Sequence, residues 1–126
     1  KHSPLPFHPE ALPAAVAADC AHRQGKFWEM HDALYAAFRE GEGVDVDGMA
    51  GELGLDVAKL RACMEGPDAI ARVKADLKLG SEVGVRGTPA FFVNGRPLFG
   101  AQPYEAFAAI VDEELKKAEK PAERRR

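Results

Sequence analysis

The sequence predicts a single α/β domain in which a block of helices precedes a short β-hairpin and a last helix. Three observations lead to this fold class. Apolar residues recur at helical spacing as far as Gly84. The continuous apolar run from Ala90 to Val93 is then typical of a buried strand. Asn94-Gly95 follows this run and favours a two-residue hairpin turn, because both central residues of that turn need positive φ.

Five helices are expected before the hairpin. The first begins between Pro9 and Pro13, since proline fits a first helical turn, and Gly25 ends it. Asp56 is the expected N-cap of the fourth helix, because its side chain can accept a hydrogen bond from the first-turn backbone. The second helix is the clearest, and its apolar stripe consists of Phe27, Met30, His31, Leu34, Tyr35 and Phe38. The last three helices are expected at about Asp45 to Leu53, at Val57 to Glu65 and from Pro67 to near Gly84.

After the hairpin turn the chain is expected to return as an edge strand and then to form a helix. Pro97 marks the return strand as an edge strand, because proline has no N–H to give to a further strand. Pro103 opens the last helix. The residues of this helix expected to face inward are Tyr104, Phe107, Ile110, Val111 and Leu115.

Composition places the chain among ordinary globular domains. It has 126 residues, a formal net charge of -3, 46% hydrophobic residues and 29% charged residues. This charge gives no support for a nucleic-acid partner. No apolar stretch approaches the length of a membrane span, and no signal peptide is recognisable. Residues 120–126 are expected to form a flexible basic tail.

The two cysteines indicate neither a disulfide framework nor a metal cluster, and no Cys-x-x-Cys occurs. Cys20 lies on the helical face of Leu12 and Val16, where a cysteine is expected to be a small buried hydrophobe. Cys63 lies near the C-terminal end of a helix, and the helix dipole lowers a thiol pKa at the N-terminal end instead. A disulfide between the two stays open, because it depends on a proximity that the sequence does not show.

The histidines and the single tryptophan are interpreted as structural. His31 lies in the apolar stripe, so we expect a core histidine bonded to a carbonyl or a carboxylate rather than a catalytic base. His22 and Cys20 are two residues apart on a helix and do not face each other, which argues against a metal pair. Trp28 is expected to pack beside Phe27.

Three segments together resemble one known family. Gly87-Thr88-Pro89, an aromatic strand and Asn94-Gly95 are similar to the cis-proline loop and terminal hairpin of thioredoxin-fold proteins. The segments "PLPFHPEALPAA", "QGKFWEMHDALY" and "GVRGTPAFFVNGRPLFGAQP" resemble the DsbA-like thiol-disulfide oxidoreductases, which carry a helical insertion in a thioredoxin fold. The likeness extends from about Lys1 to Leu115.

The resemblance implies a truncated thioredoxin-like fold. Residues 1–119 would be a partial domain, with a helical insertion at 9–84 and the loop, hairpin and last helix at 85–119. In the family a Cys-x-x-Cys at a helix N-terminus supplies the reactive thiolate, and it precedes the segment that resembles Lys1-His2-Ser3-Pro4. The resemblance therefore implies no catalytic residue in this chain, and we expect the chain alone to be inactive.

The loop is the candidate substrate site by the same resemblance. Gly87, Thr88 and Pro89 are expected to bind extended or unfolded polypeptides, with a cis bond between Thr88 and Pro89. The resemblance implies no cofactor and no metal, a thiol-disulfide oxidoreductase as the parent protein, and a periplasmic or otherwise exported location. The strands that the chain lacks would pair with Ala90–Val93, so we expect self-association through this edge or by exchange of an element.

Two other functions stay open. Kappa glutathione transferases and 2-hydroxychromene-2-carboxylate isomerases share the helical insertion and bind glutathione. They usually carry Gly-Val-Pro at the loop and Trp-Gly after the hairpin, whereas this chain has Gly87-Thr88-Pro89 and Phe99-Gly100. This difference favours the oxidoreductases. A non-catalytic binding module with a thioredoxin fold is the third interpretation.

Overall fold

The computed structural model describes residues 1–119, and the predicted basic tail at 120–126 lies outside the described residues. The described chain is mostly helical, and the predicted order of five helices, hairpin and helix is confirmed. It forms two compact units, one from Lys1 to Glu82 and one that begins at Val83. The elements are α1 (Ala11–His22), α2 (Phe27–Glu40), α3 (Val46–Glu52), α4 (Val57–Glu65), α5 (Pro67–Glu82), β1 (Ala90–Val93), β2 (Arg96–Phe99) and α6 (Tyr104–Glu119).

The first unit is a helical unit, in which α1 to α5 share one hydrophobic core. Helical spacing selects the residues that face it, since positions three or four apart share a face. Asp56 caps the start of α4 as predicted, because its Oδ1 accepts a hydrogen bond from the Lys59 backbone N–H at 3.0 Å. The buried core includes Val16, Cys20, Met30, Leu34, Ala50, Leu60, Ala69 and Val73.

A disulfide joins Cys20 of α1 to Cys63 of α4, with 5.8 Å between the two Cα atoms. Neither cysteine of the sequence is therefore a free thiol. Cys20 is only 1% exposed, so its predicted burial is confirmed, but its description as an unpaired small hydrophobe is wrong. The cause is the packing of α1 against α4, a long-range contact that helical periodicity does not reveal.

The apolar stripe predicted for α2 is only partly buried. Tyr35 is 67% exposed, so its predicted burial in the stripe is wrong. The Trp28 ring meets the Phe27 ring edge-on, with 5.1 Å between centroids, so its predicted packing beside Phe27 is confirmed, although Trp28 is also 67% exposed. Phe38 is also exposed. The buried face of α2 consists of Met30, Leu34 and Ala37. The helices α1 and α3 pack against α2 and cover only this part of its surface.

The second unit consists of a hairpin and α6. β1 and β2 are antiparallel, with Ala90 opposite Phe99 and Val93 opposite Arg96. Asn94 and Gly95 both have positive φ, 49° and 81°, so the predicted two-residue turn is confirmed.

The two faces of the hairpin have different surroundings. The Phe91 ring meets the Phe107 ring of α6 edge-on, with 4.9 Å between centroids, so α6 covers the face that carries Phe91 and its opposite residue Leu98. Side chains alternate between the faces of a strand. The opposite face, which we call the open face, therefore carries Ala90, Phe92, Pro97 and Phe99.

The sequence predicted more buried side chains on α6 than the structure shows. Phe107 and Ile110 are half-buried, as expected. Tyr104 is 80% exposed, and Val111 and Leu115 are also exposed, so their predicted inward position is wrong. Two short strands cover only a narrow strip of a sixteen-residue helix, which leaves these three side chains outside the contact.

Candidate functional site

The segment Gly87-Thr88-Pro89 lies between α5 and β1, and all three residues are exposed. The Thr88-Pro89 peptide bond is cis, which confirms the sequence prediction. Pro89 is followed directly by the first residue of β1. The structure therefore places the three predicted substrate-binding residues together, at the surface and at the start of a strand.

The register of the hairpin shows which backbone groups of β1 face outward. The Gly100 N–H donates to the Pro89 carbonyl at 2.9 Å across the hairpin. Hydrogen-bonded pairs alternate along antiparallel strands, so Phe91 and Leu98 form the next such pair. The N–H and C=O groups of Ala90 and Phe92 consequently point away from β2. Among residues 1–119 no further strand pairs with β1, so this edge is open to a strand from elsewhere.

The outer edge of β2 is less suited to such pairing. Pro97 lies opposite Phe92 at a position whose backbone points away from β1. Proline has no N–H, so this edge lacks a donor in the middle of the strand. The prediction that Pro97 marks an edge strand is confirmed. The β1 edge is therefore better suited than the β2 edge to pair with a further strand.

The open face adds an apolar surface beside the β1 edge. The Phe92 and Phe99 rings meet edge-on with 6.1 Å between centroids. They are 43% and 48% exposed, so much of both rings meets solvent in the described chain. A segment that pairs with β1 can therefore gain backbone hydrogen bonds and apolar contact together.

Charged side chains fix the hairpin turn to α6. Arg96 donates to the carboxylates of Glu113 and Glu114 at 2.7 and 3.0 Å. Lys117 donates to Glu114 at 2.6 Å, and the side chain of Asn94 adds a longer hydrogen bond at 3.4 Å. The hydrogen bonds from Lys117 and Arg96 hold the pKa of Glu114 at about 2, well below its ordinary value of 4.5. This network holds β2 in place and so fixes the position of β1.

Acid titration should reveal this network. Because the folded pKa of Glu114 lies below its unfolded value, the stabilisation by its carboxylate is present above pH 4.5 and is lost as the pH falls towards about 2. The carboxyl carbon of Glu114 should titrate in NMR spectra with a midpoint of about 2. Arg96→Met and Lys117→Met should each raise this midpoint towards 4.5. A wild-type midpoint near 4.5, unchanged in both variants, would show that the network does not form in solution.

The other candidates from the sequence lie in the helical unit. His31 is only half-buried, so its predicted core position is wrong. Its Nδ1 lies 2.9 Å from an Asp32 carboxylate oxygen, so the predicted carboxylate partner is confirmed. Its ring also stands between those of Trp28 and Tyr35, with centroids 5.2 and 4.7 Å away. Sequence reasoning missed this exposed aromatic row, although the i, i+3 and i+7 spacing of its members is visible in the sequence.

The described residues form a helical unit, a two-stranded hairpin and a last helix, which is consistent with a partial DsbA-like domain, and comparison with known sequences identifies the family. The sequence model of the DSBA-like thioredoxin domain matches residues 7–112. This match covers more than half of the chain, so the chain belongs to the DSBA-like thioredoxin domain family. The resemblance seen in the sequence is thereby confirmed.

Several similar curated proteins are named as Na⁺/H⁺ antiporters. The chain is 41% identical over 112 residues to the Na⁺/H⁺ antiporter NhaA 1 of Salinispora arenicola, covering 88% of the chain and 17% of that protein. It is 37% identical over 108 residues to the Na⁺/H⁺ antiporter NhaA of Herminiimonas arsenicoxydans, covering 86% of the chain and 17% of that protein. The chain thus spans about a sixth of the length of these relatives. No solved structure matches the chain. Within residues 1–119, no helix has the length and apolarity required to cross a membrane.

Proposed function

We propose that this chain is the substrate-docking part of a DsbA-like thiol-disulfide oxidoreductase domain that acts on exported, periplasmic proteins. The observation that carries the proposal is an exposed loop, Gly87-Thr88-Pro89, joined directly to the open edge of β1. In this proposal the loop binds an extended polypeptide by its backbone, which is a common mode of peptide recognition. The β1 edge takes a strand that completes the sheet.

The redox step needs a dithiol that the 126 residues do not supply. In thiol-disulfide exchange a thiolate attacks one sulfur of a disulfide, a mixed disulfide forms, and the other sulfur leaves as a thiolate. Cys20 and Cys63 are bonded to each other, and Cys20 is buried in the core. Neither is an accessible thiolate, so the attacking group in this proposal belongs to another part of the natural protein.

The transporter relatives extend the proposal to the natural protein as a whole. Similar sequence occurs within proteins named Na⁺/H⁺ antiporters, where it matches about a sixth of their length. We propose that the natural protein joins this domain to an antiporter of that type. The joined transporter would then keep the domain at the membrane, on the side where exported polypeptides with cysteines are oxidised.

A turnover assay tests the proposed function. The 126-residue chain should show no insulin reduction and no oxidative refolding of a reduced protein, whereas the full natural protein should show both. Cys20→Ser should leave the inactivity of the isolated chain unchanged. Turnover by the isolated chain that Cys20→Ser abolishes would instead place the nucleophile at Cys20.

A non-catalytic binding module is the second candidate, because the exposed loop and the open edge of β1 can bind an extended polypeptide without a redox centre. The turnover assay together with binding measurements on the full natural protein separates the two functions. Polypeptide binding by the full natural protein without any thiol exchange would support the binding module. Specific binding of glutathione by that protein would point instead to the glutathione-dependent enzymes that share the helical insertion.

A further inference from the structure

The two sulfurs of the Cys20–Cys63 disulfide have different surroundings. Cys20 is 1% exposed and lies within residues 16–21 of α1, all of which are buried. Cys63 is partly exposed and lies two residues before the end of α4, a helix whose only buried residue is Leu60. Solvent therefore reaches the disulfide from the side of Cys63.

This difference decides which sulfur a thiolate can attack. The course of thiol-disulfide exchange depends on access to each sulfur. Cys20 belongs to the core that α1 shares with α2, α4 and α5, so an attack on its sulfur requires these helices to separate first. Cys63 packs against the margin of the same core and keeps part of its surface in solvent. In the folded chain the attack is therefore directed to Cys63.

We propose that Cys63 is a reversible S-thiolation site, at which low-molecular-weight thiols open the disulfide of the folded chain. The thiolate of the small molecule attacks the Cys63 sulfur, a new disulfide forms between these two sulfurs, and the Cys20–Cys63 bond breaks. The electron pair of the broken bond goes to Cys20. The apolar core disfavours a charge there, so Cys20 takes up one proton, equal to the proton that the small thiol lost. One disulfide replaces another, and no net oxidation or reduction occurs.

Cys20 is the resolving thiol of this reaction. The packing of α1 against α4 holds Cys20 beside Cys63, with 5.8 Å between their Cα atoms in the disulfide form. When Cys20 loses its proton it attacks the modified Cys63 sulfur, restores the original bond and expels the small thiol. The modification is therefore reversed when the concentration of the small thiol falls.

The end of α4 around Cys63 accommodates the added group. The Gln24 side-chain amide donates to the Asp56 carbonyl at 3.1 Å and accepts from the Asp56 backbone N–H at 2.8 Å. These two hydrogen bonds tie the start of α4 to the turn after α1, whereas the disulfide ties α1 to the end of α4. Opening of the disulfide consequently loosens α4 at Cys63 while its start stays held.

The helical position of Cys63 selects small thiols over thiols of polypeptides. Cys63 lies beyond the first turn of α4, so its backbone N–H is used within the helix. An extended polypeptide finds no free donor there, in contrast to the open edge of β1. A small thiol needs only access to the sulfur. The adduct is a product of covalent exchange and requires no binding pocket for the small thiol.

Peptide mapping after brief exposure to reduced glutathione tests this assignment in the 126-residue chain. The reaction would be stopped with acid, and free thiols would be labelled with N-ethylmaleimide in denaturant. Singly modified chains should carry glutathione on Cys63 and maleimide on Cys20, with the reverse arrangement on the order of tenfold rarer. The same reaction in denaturant is the matched control, because unfolding exposes both sulfurs and should bring the two arrangements to similar amounts.

Two single-cysteine variants provide a second test, with circular dichroism as the check that each remains helical. Cys20→Ala leaves one thiol at Cys63, which oxidised glutathione should modify lastingly, because no resolving thiol remains. Cys63→Ala leaves one thiol at Cys20, which should react on the order of tenfold more slowly in the folded chain. In denaturant the two variants should react at similar rates.

Two results with the wild type would overturn the proposal, whatever the stability of the variants. One is glutathione present on Cys20 as often as on Cys63, or more often, in the folded chain. The other is a disulfide that glutathione opens in denaturant but not in the folded chain. The proposal goes beyond the proposed function, and its readout needs neither a polypeptide substrate nor a dithiol outside this chain. Its failure and that of the proposed function are therefore distinguishable.

Discussion

Removal of the Cys20–Cys63 disulfide should lower the free energy of unfolding of the helical unit by about 4 kcal/mol. The bond closes a sequence separation of 43 residues, and the entropy that such a cross-link removes from the unfolded chain gives this magnitude. The effect should be large because the bond joins α1 to α4 inside the core. Chemical denaturation of the Cys20→Ala/Cys63→Ala double variant and of the wild type, followed by helical circular dichroism, measures the difference.

Reduction of the wild type by a small thiol is the matched control for the alanine variant. Both forms lack the bond, but the reduced wild type keeps the volume of both side chains. The two should lose similar stability, with a somewhat greater loss in the alanine variant because it also leaves a cavity at Cys20. A loss below about 1 kcal/mol in both forms would show that the bond adds little beyond the packing of α1 and α4.

The isolated 126-residue chain should self-associate through the β1 edge. The outward N–H and C=O groups of Ala90 and Phe92 form a template for another strand, whereas Pro97 weakens the opposite edge. Association would also cover Phe92 and Phe99, and burial of a phenylalanine side chain is worth roughly 2 kcal/mol. Sedimentation equilibrium at micromolar concentrations should therefore show a species larger than the 13.6 kDa monomer.

A pair of aromatic-to-lysine variants separates association through the β1 edge from nonspecific hydrophobic association. Phe92→Lys places a charge beside the β1 edge and should yield a monomer. Tyr104→Lys removes a more exposed aromatic ring that lies outside β1 and should leave association unchanged. A well-folded wild-type monomer with Phe91 and Phe92 both protected from solvent would defeat the prediction.

Local sequence signals predicted most of the secondary structure because each is decided within a few residues. The cap at Asp56, the helix opened by Pro67 and the turn at Asn94-Gly95 depend on the hydrogen bonds and backbone angles of their immediate neighbours. The disulfide was not predictable in this way, since it requires two distant helices to pack with their cysteines facing each other. The exposure of Trp28 likewise depends on which side of α2 its neighbours cover.

In the candidate site, too, local features were predictable from the sequence and long-range features were not. The Gly87-Thr88-Pro89 loop was located from its order of residues and its resemblance to a family. The outward direction of the Ala90 and Phe92 backbone groups needed the strand register, which the sequence alone does not state. The contacts of His2 with Asp19 and Asp76 join residues far apart in the sequence, and no local pattern points to them.

Docking of extended polypeptide at the Gly87-Thr88-Pro89 loop is the central claim, and an NMR titration tests it most directly. The ¹⁵N-labelled 126-residue chain would be titrated with reduced, carboxymethylated lactalbumin, which stays unfolded and cannot exchange disulfides. The account predicts saturable chemical-shift changes at the backbone amides of Gly87 and Thr88, while the amides of the Cys20–Cys63 region remain unchanged. Saturable changes confined to the exposed aromatic row of Trp28, His31 and Tyr35, with none at Gly87 or Thr88, would contradict the account.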